Sequence, residues 1–259
     1  MRAAARPLYA GCMLLRYLSV IRDAPEAFLI LVAAFAVSML VGLAFHEFSH
    51  AFVATRLGDN TPRRYGRLTL DPRKHLDLTG SLLILFAGFG WAKPTPVNPF
   101  NTENPRRSMV LIAGAGPVSN LAIALLAGMP IRLGLVPFYH PFIHPALASS
   151  AVQVWTESFA SLAGLFLGTI VLLNVMLAVF NLLPIAPLDG FRVVAGLLPP
   201  ELGVPFARTE AWGPGILLLL FMFPFFSGGM FSPLSIVMGP VIRFFLILIA
   251  GDARGLLFD

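Results

Sequence analysis

Long apolar runs alternate with short polar connections along this chain. Six such runs lie at about residues 28–55, 79–92, 109–129, 159–186, 211–226 and 234–250. All except the second have the length of a helix, and a helix needs about 20 apolar residues to cross a bilayer core. The pattern predicts an all-α, polytopic transmembrane helix bundle of five or six membrane segments, with the segment at 79–92 re-entrant.

The composition excludes several other classes of protein. Hydrophobic residues make up 57% of the 259 positions and charged residues 12%, whereas soluble domains have about 45 to 50% and about 25%, respectively. The chain is too apolar to be disordered, and a single cysteine, Cys12, excludes a disulfide-stabilised fold. No connection exceeds about 30 residues, so we expect one transmembrane domain over 1–259. We assign its core to about 28–200, an interfacial segment to 1–24 and further membrane segments to 211–250.

The basic residues predict how the chain is oriented. They account for the net charge of +5 and lie between the apolar runs, so we expect a lipid bilayer around the chain and no nucleic acid partner. The connection 56–78 carries six basic residues and 93–107 carries three, whereas 131–158 carries only Arg132. Four arginines before residue 24 oppose this bias, but the larger asymmetry outweighs them. We therefore place the first two connections in the cytoplasm and 131–158 outside.

Two acidic residues and two histidines lie within or directly beside the apolar runs, where an unpaired charge is costly and therefore indicates function. Three belong to the sequence His46-Glu47-Phe48-Ser49-His50 at the end of the first run. Two histidines four positions apart share a helix face and can bind one Zn²⁺, and the glutamate after the first reaches the metal-bound water. Zinc lowers the pKa of such water to about 7, and Glu47 is then its general base. The motif predicts a metal-activated hydrolase.

Asp189 is the fourth of these residues and our candidate for a third ligand, because catalytic zinc usually binds three protein ligands. It directly follows an apolar run. The alternative interpretation of Asp189 and Gly190 is an Asp-Gly turn at a membrane surface. His140 and His144 repeat the spacing of four, but a proline follows each of them, so we expect loop histidines there.

The order of three motifs is specific. They are HEFSH at 46–50, GPVSN at 116–120 and NLLPIAPLDG at 181–190. Together they resemble the site-2 protease family of intramembrane zinc metalloproteases. The segment GFGWAKPTPVNP at 88–99 resembles short members of that family, which lack appended peptide-binding and nucleotide-sensing domains. Many members have NPDG where this chain has PLDG, and the aspartate is kept.

The resemblance implies regulated cleavage of a membrane-spanning protein substrate. It implies one zinc ion held by His46, His50 and Asp189, with Glu47 as catalytic base. The charge pattern agrees, because His46 lies near the far end of the first span and Asp189 follows a span that returns from outside. We therefore expect a multi-pass protein of the cell membrane with its active site near the cytoplasmic side.

Two asparagines at membrane depth are further candidates. Asn120 shares an apolar run with Gly116 and Pro117, where close packing of helices is the simple explanation. The family resemblance supports a second role for Asn120, which would face the zinc site and hydrogen-bond the substrate backbone or the oxyanion. Asn181 is a candidate for the same kind of contact, and the alternative is that it bonds carbonyls that the nearby Pro184 leaves free.

Prolines at 94, 96 and 99 prevent a regular helix between Trp91 and Phe100. If this segment is extended, the N–H groups of Thr95 and Val97 lie along one edge, where a substrate strand can pair. Such pairing suits proteolysis, because a helical substrate must unwind before its peptide bond is attacked. An ordinary surface connector is the alternative.

Two other functions would use the same residues. A zinc or proton transporter would use the histidines and the aspartate as a transit site, but it needs no base beside a water molecule. A non-catalytic membrane scaffold would not need the complete motif. We also expect control by earlier trimming of the substrate or by a regulatory membrane partner. We assign no catalytic role to Arg243 or to the phenylalanine-rich stretch at 221–233.

Overall fold

The computed structural model describes residues 20–21, 24–77, 80, 93–142, 148–228 and 231–251, and these contain no β-strand. The α-helices described with both ends are α1 (Pro25–Arg56), α2 (Thr61–Arg64), α3 (Pro72–His75), α4 (Pro105–Arg132), α5 (Ala148–Thr156), α6 (Phe159–Asn181), α7 (Asp189–Leu197), α8 (Pro200–Arg208), α9 (Gly213–Phe226) and α10 (Pro233–Ala250). Short 3₁₀ helices lie at Pro99–Asn101 and Thr209–Trp212.

Five of these helical stretches are long and apolar enough to cross a membrane. They are α1, α4, α6, α10 and the stretch Pro200–Phe226, which joins α8 to α9. This confirms the predicted all-α, multi-span architecture.

Local sequence signals set where the long helices begin. Proline is the first residue of α1, α4 and α10, where its missing N–H removes no helical hydrogen bond. The Asn104 side chain caps α4 by accepting from the N–H of Arg107 at 3.0 Å. Ser158 caps α6 in the same way, from the N–H of Ser161 at 3.1 Å.

Helices α1, α4 and α6 pack against one another and form the centre of the bundle. The larger apolar cluster joins α4, α6 and α10 through fully buried residues such as Ala124, Val171 and Leu246. Small residues bring the helices close: a Cβ at Gly128 would lie 2.3 Å from Ile249 Cγ2. The site described below lies where α1, α4 and the start of α7 meet.

The structure differs from one sequence prediction, and several other predicted features lie outside the described residues. The apolar run was predicted to continue to residue 186, but the helix α6 ends at Asn181. Pro184 and Pro187 lie in the seven residues between α6 and α7 and prevent a regular helix there. Lys93–Asn98 forms neither helix nor strand, and Arg243 is exposed on α10. Four predicted features lie wholly or largely outside the described residues: the re-entrant segment 79–92, the interfacial segment 1–24, Trp91 and His144.

Candidate metal centre

His46, His50 and Asp189 meet at the junction of α1 and α7. Each residue offers one ligand atom, and these atoms all lie within 4.8 Å of one another. Asp189 Oδ2 lies 3.0 Å from His46 Nε2 and 3.2 Å from His50 Nε2. The two histidines are four positions apart and therefore share one face of α1. Asp189 is the first residue of α7, so it begins a helix, and the alternative of an isolated Asp-Gly turn does not apply.

The other ring nitrogen of each histidine has a fixed partner. His46 Nδ1 lies 2.7 Å from Asn120 Oδ1, and His50 Nδ1 lies 2.6 Å from the carbonyl oxygen of Ile112. Both partners are acceptors, so each Nδ1 carries the proton and donates. A neutral imidazole held in this way presents the lone pair of Nε2 to the cluster, which is the tautomer that a metal ligand needs.

This arrangement fits a divalent cation. Two nitrogen lone pairs and a carboxylate oxygen repel one another at these distances unless a positive charge lies between them. Asp189 Oδ2 is buried, and its close neighbours among the described residues are the two Nε2 atoms, so a carboxylate oxygen held there needs a positive charge beside it. Two imidazole nitrogens and one carboxylate oxygen form a donor set that suits catalytic zinc and leaves a fourth position open.

Gly116 of α4 gives the cluster its space. A Cβ built at this position would lie 2.5 Å from His50 Nε2 and 2.6 Å from His46 Nε2. Any larger residue would therefore occupy the region in which the ligand atoms converge. Sequence reasoning explained Gly116 by helix packing and missed this role. The available signal was its spacing of four from Asn120, which places both residues on the same face of α4.

Asn120 holds His46 through a chain of amides. Its side chain is fully buried, and Nδ2 donates to the Gly42 carbonyl oxygen and to Asn174 Oδ1, both at 3.1 Å. Asn174 in turn donates to the Ile170 carbonyl oxygen at 3.0 Å. Both amide hydrogens of Asn120 are thus used within the protein. This geometry supports a role for Asn120 in positioning His46, and the expected contact of Asn120 with substrate or an oxyanion stays a prediction.

The Asn181 side chain forms its hydrogen bond within its own helix. Its Nδ2 donates to the Leu177 carbonyl oxygen, 2.9 Å away in the same helix. The carbonyl is not one that Pro184 leaves free, and both predicted roles of Asn181 stay predictions. Asn174, two helical turns earlier and fully buried, was not singled out from the sequence, although a lone asparagine in a long apolar run is a recognisable signal.

Glu47 is buried beside the two histidines and is held by Thr95. Glu47 Oε2 accepts the Thr95 N–H at 2.9 Å and the Thr95 hydroxyl at 2.7 Å. Nothing in the part of the chain that the structure describes donates to Oε1. The Thr95 N–H, predicted to pair with a substrate strand, is instead used by Glu47. For the N–H of Val97, no acceptor is found among the described residues.

Asp59 anchors the segment that carries Thr95. Its side chain is fully buried and accepts from the Asn98 N–H at 2.6 Å, from Asn101 Nδ2 at 2.8 Å and from the Thr61 hydroxyl at 2.6 Å. Burial raises the pKa of Asp59, but the hydrogen bonds from Thr61, Asn101 and Asn98 outweigh burial and hold that pKa below its usual value. The carboxylate thus ties Lys93–Asn98 to the chain just after α1.

His140 is separate from the metal cluster. It is buried, and its Nδ1 has no hydrogen-bond partner. Burial lowers the pKa of His140 to about 4, so the imidazole is neutral at physiological pH. His140 lies outside the helices, as predicted from the prolines.

Comparison with known proteins identifies the family. The model of peptidase family M50 matches residues 34–223. A protein of Bacillus subtilis, "Putative zinc metalloprotease YwhC", is 40% identical over 188 residues, which cover 73% of this chain and 80% of that protein. Rip2 of Mycobacterium tuberculosis, also named a zinc metalloprotease, is 36% identical over 199 residues, covering 74% and 68% of the two chains.

Rip3 of the same species, named in the same way, is 28% identical over 204 residues, covering 75% of this chain and 40% of that protein. No solved structure matches. The family model covers most of the chain, and the HEFSH, GPVSN and PLDG motifs lie within the matched residues. The chain belongs to peptidase family M50, the site-2 protease family, and is a multi-pass membrane zinc metalloprotease.

Proposed function

We propose that this chain hydrolyses a peptide bond in or beside a transmembrane segment of a membrane protein substrate, as a step of regulated intramembrane proteolysis. The observation that carries the proposal is the convergence of His46, His50 and Asp189 beside a buried Glu47, at the end of a membrane-spanning helix. Binding one zinc ion per chain would balance the charge of Asp189 and use both Nε2 lone pairs. When bound, zinc supplies Lewis acidity for the scissile carbonyl and for the attacking water.

Residues of the chain transfer the proton and position the metal ligands. Glu47 takes a proton from the attacking water and later gives it to the leaving amine. We assign this proton to Oε1, because Thr95 occupies Oε2 with two hydrogen bonds. Asn120 fixes the ring of His46, and the Ile112 carbonyl fixes the ring of His50. Orientation of both rings before the reaction lowers the cost of reaching the transition state.

The N–H of Val97 is the remaining candidate for pairing with an unwound substrate. It lies two residues after Thr95, close to the residue that holds Glu47, and no described residue accepts from it. An extended substrate hydrogen-bonded there would run past the catalytic base. This role is a proposal for Val97 alone, because the N–H of Thr95 is already used.

We place the site near the cytoplasmic side of the cell membrane. The connections 56–78 and 93–107 carry nine basic residues between them, and Asp59 joins both connections to the end of α1 that carries the motif. Basic connections are retained in the cytoplasm.

A transporter is not favoured, because the family is one of metallopeptidases and Glu47 is held as a base. Control by earlier trimming of the substrate or by a membrane partner stays a prediction, which co-purification would test.

Glu47→Gln tests the proposal. The amide has nearly the same shape as the carboxylate but cannot take a proton from water, so cleavage of a reconstituted transmembrane peptide should fall by about 100-fold or more. Zinc content should stay at the wild-type value, because Glu47 is not a ligand. A Glu47→Gln protein that cuts the peptide as fast as the wild type would contradict the assignment of the base.

A further inference from the structure

A basic cleft lies beside the segment that carries Thr95. Its volume is about 750 Å³, within the range of about 300 to 1,000 Å³ that is usual for ligand sites. The lining residues are Tyr65, Arg67, Arg73, Lys74, Lys93, Pro94 and Pro96. Four of these seven are cations, and none is a carboxylate. We refer to this feature as the basic cleft.

Arg67 brings the other cations of the basic cleft together. It is buried, and its Nη1 donates to the carbonyl oxygens of Lys74 and Lys93. The N–H of Lys93 in turn donates to the His75 carbonyl oxygen at 2.7 Å. The backbone of Lys93 is therefore fixed beside α3 by a buried guanidinium, while the side chains of Arg73, Lys74 and Lys93 are exposed.

Such a cluster of like charges is unfavourable unless an anion balances it. The nearest acidic residues in sequence do not line the cleft: the Asp71 side chain accepts from the Arg73 N–H, and the Asp77 side chain accepts from the Gly80 N–H. Among the described residues that line the cleft, the cations thus have no counter-charge. The arrangement is suited to an anionic ligand from outside the chain.

The basic cleft and the proposed active site share the segment Lys93–Pro96. Pro94 and Pro96 line the cleft, while Thr95 between them donates two hydrogen bonds to Glu47. Successive residues of an extended backbone face opposite sides. A polypeptide lying in the cleft would therefore lie one residue away from the group that holds the base, and helix α3, which carries Arg73 and Lys74, packs against α1.

We infer that the basic cleft binds an acidic juxtamembrane segment of the substrate, on the side of the membrane that holds the active site. The inference rests on the proposed function and adds the class of substrate to it. A peptide is favoured over a lipid headgroup because the cleft is lined by the residues on either side of Thr95, which holds Glu47, and because its cations are spread along two chain segments. Electrostatic recognition of this kind favours acidic substrates over neutral ones before any bond is cut.

Binding to a non-cleaving protein tests the inference without relying on turnover. The full chain with Glu47→Gln is reconstituted in phosphatidylcholine nanodiscs, and the Kd is measured for two labelled transmembrane peptides. One peptide carries four acidic residues beside its membrane segment, and its twin carries serine and glycine there. We expect the acidic peptide to bind about tenfold more tightly, with the preference decreasing as salt rises.

Charge reversal at the cleft should remove the preference. Lys74→Glu combined with Lys93→Glu keeps the backbone groups that Arg67 and His75 use, so the cleft itself is retained. In this variant, the ratio of the two Kd values should fall to near one. A third peptide, with four lysines in place of the four acidic residues, should bind the double variant more tightly than it binds the parent protein. Arg63→Glu is the matched control, because Arg63 is exposed in the same connection but does not line the cleft.

Three results would overturn the inference. The first is an unchanged Kd ratio in the double variant. The second is an equal loss in Arg63→Glu, which would indicate general surface charge rather than the cleft. The third is a preference that arises only when anionic phosphatidylglycerol is added, which would make a lipid headgroup the occupant. Failure of the wild type to cut any peptide would contradict the proposed function and would leave these binding results unaffected.

Discussion

The metal cluster and the segment Lys93–Asn98 place chemical groups around the same glutamate in two different ways. The cluster is built on regular helices: its two histidines share one face of α1, and its aspartate begins α7. The segment has no regular structure and is held by hydrogen bonds to buried charged side chains, chiefly Asp59 and Arg67. Helical geometry thus fixes the ligands, whereas long-range hydrogen bonds fix the residue that orients the base.

The metal cluster and the segment Lys93–Asn98 should therefore respond differently to substitution. A helical ligand is positioned by many backbone hydrogen bonds and by packing, so it tolerates the loss of one neighbour. Thr95 is positioned by few contacts, and its two donors converge on a single oxygen of Glu47. We therefore expect substitutions in the cluster to remove zinc and activity together, and substitutions in the segment to change the rate while zinc remains.

Gly116→Ala should have the larger effect. Its methyl group would lie 2.5 Å from His50 Nε2 and would occupy the space between the ligand atoms. We expect zinc to be lost and cleavage to fall by about 100-fold or more, because even residues that only support metal ligands change affinity by about 10- to 100-fold. Zinc content and peptide cleavage measured in one preparation would check this.

Gly114→Ala is the matched control for that experiment. It lies in the same helix two residues earlier, and a Cβ there would meet nothing within 4 Å. We expect wild-type zinc and wild-type cleavage, with equal or slightly higher stability, because alanine is a better helix former than glycine. Full zinc occupancy in Gly116→Ala would show that the ligands converge elsewhere.

Thr95→Val should have a smaller effect. Valine keeps the backbone N–H to Glu47 but loses the hydroxyl, so one of two donors to Oε2 disappears. Hydrogen bonds to charged groups contribute about 1.5 to 3 kcal/mol, and we expect kcat to fall by about tenfold with little change in KM or in zinc. Thr95→Ser restores the hydroxyl and should recover most of kcat. Equal kcat values for the valine and serine variants would exclude positioning by the hydroxyl.

The sequence predicts the parts of this protein that depend on periodicity. Apolar runs of about 20 residues predict the spans, and the spacing of His46 and His50 predicts a shared helix face. Asp189 could be singled out because few ionisable residues occur at membrane depth. The structure brings these three residues together, and their role as zinc ligands stays a prediction.

The remaining features depend on contacts between distant positions, which no local pattern encodes. Both amide hydrogens of Asn120 are used by Gly42 and Asn174 in two other helices, which the sequence around Asn120 does not predict. The pairing of Thr95 with Glu47 spans 48 positions, and that of Asp59 with Asn98 spans 39. Which donors a residue has left for a substrate is known only after these contacts are counted.

The most direct test of the account is the zinc content of detergent-purified wild type beside Asp189→Ala. The account predicts about one zinc per chain in the wild type and a large loss in the variant, because Asp189 Oδ2 lies within 3.2 Å of both histidine Nε2 atoms and completes the set of three ligands. Wild-type protein free of zinc, or a variant that retains all of it, would contradict the three-ligand site.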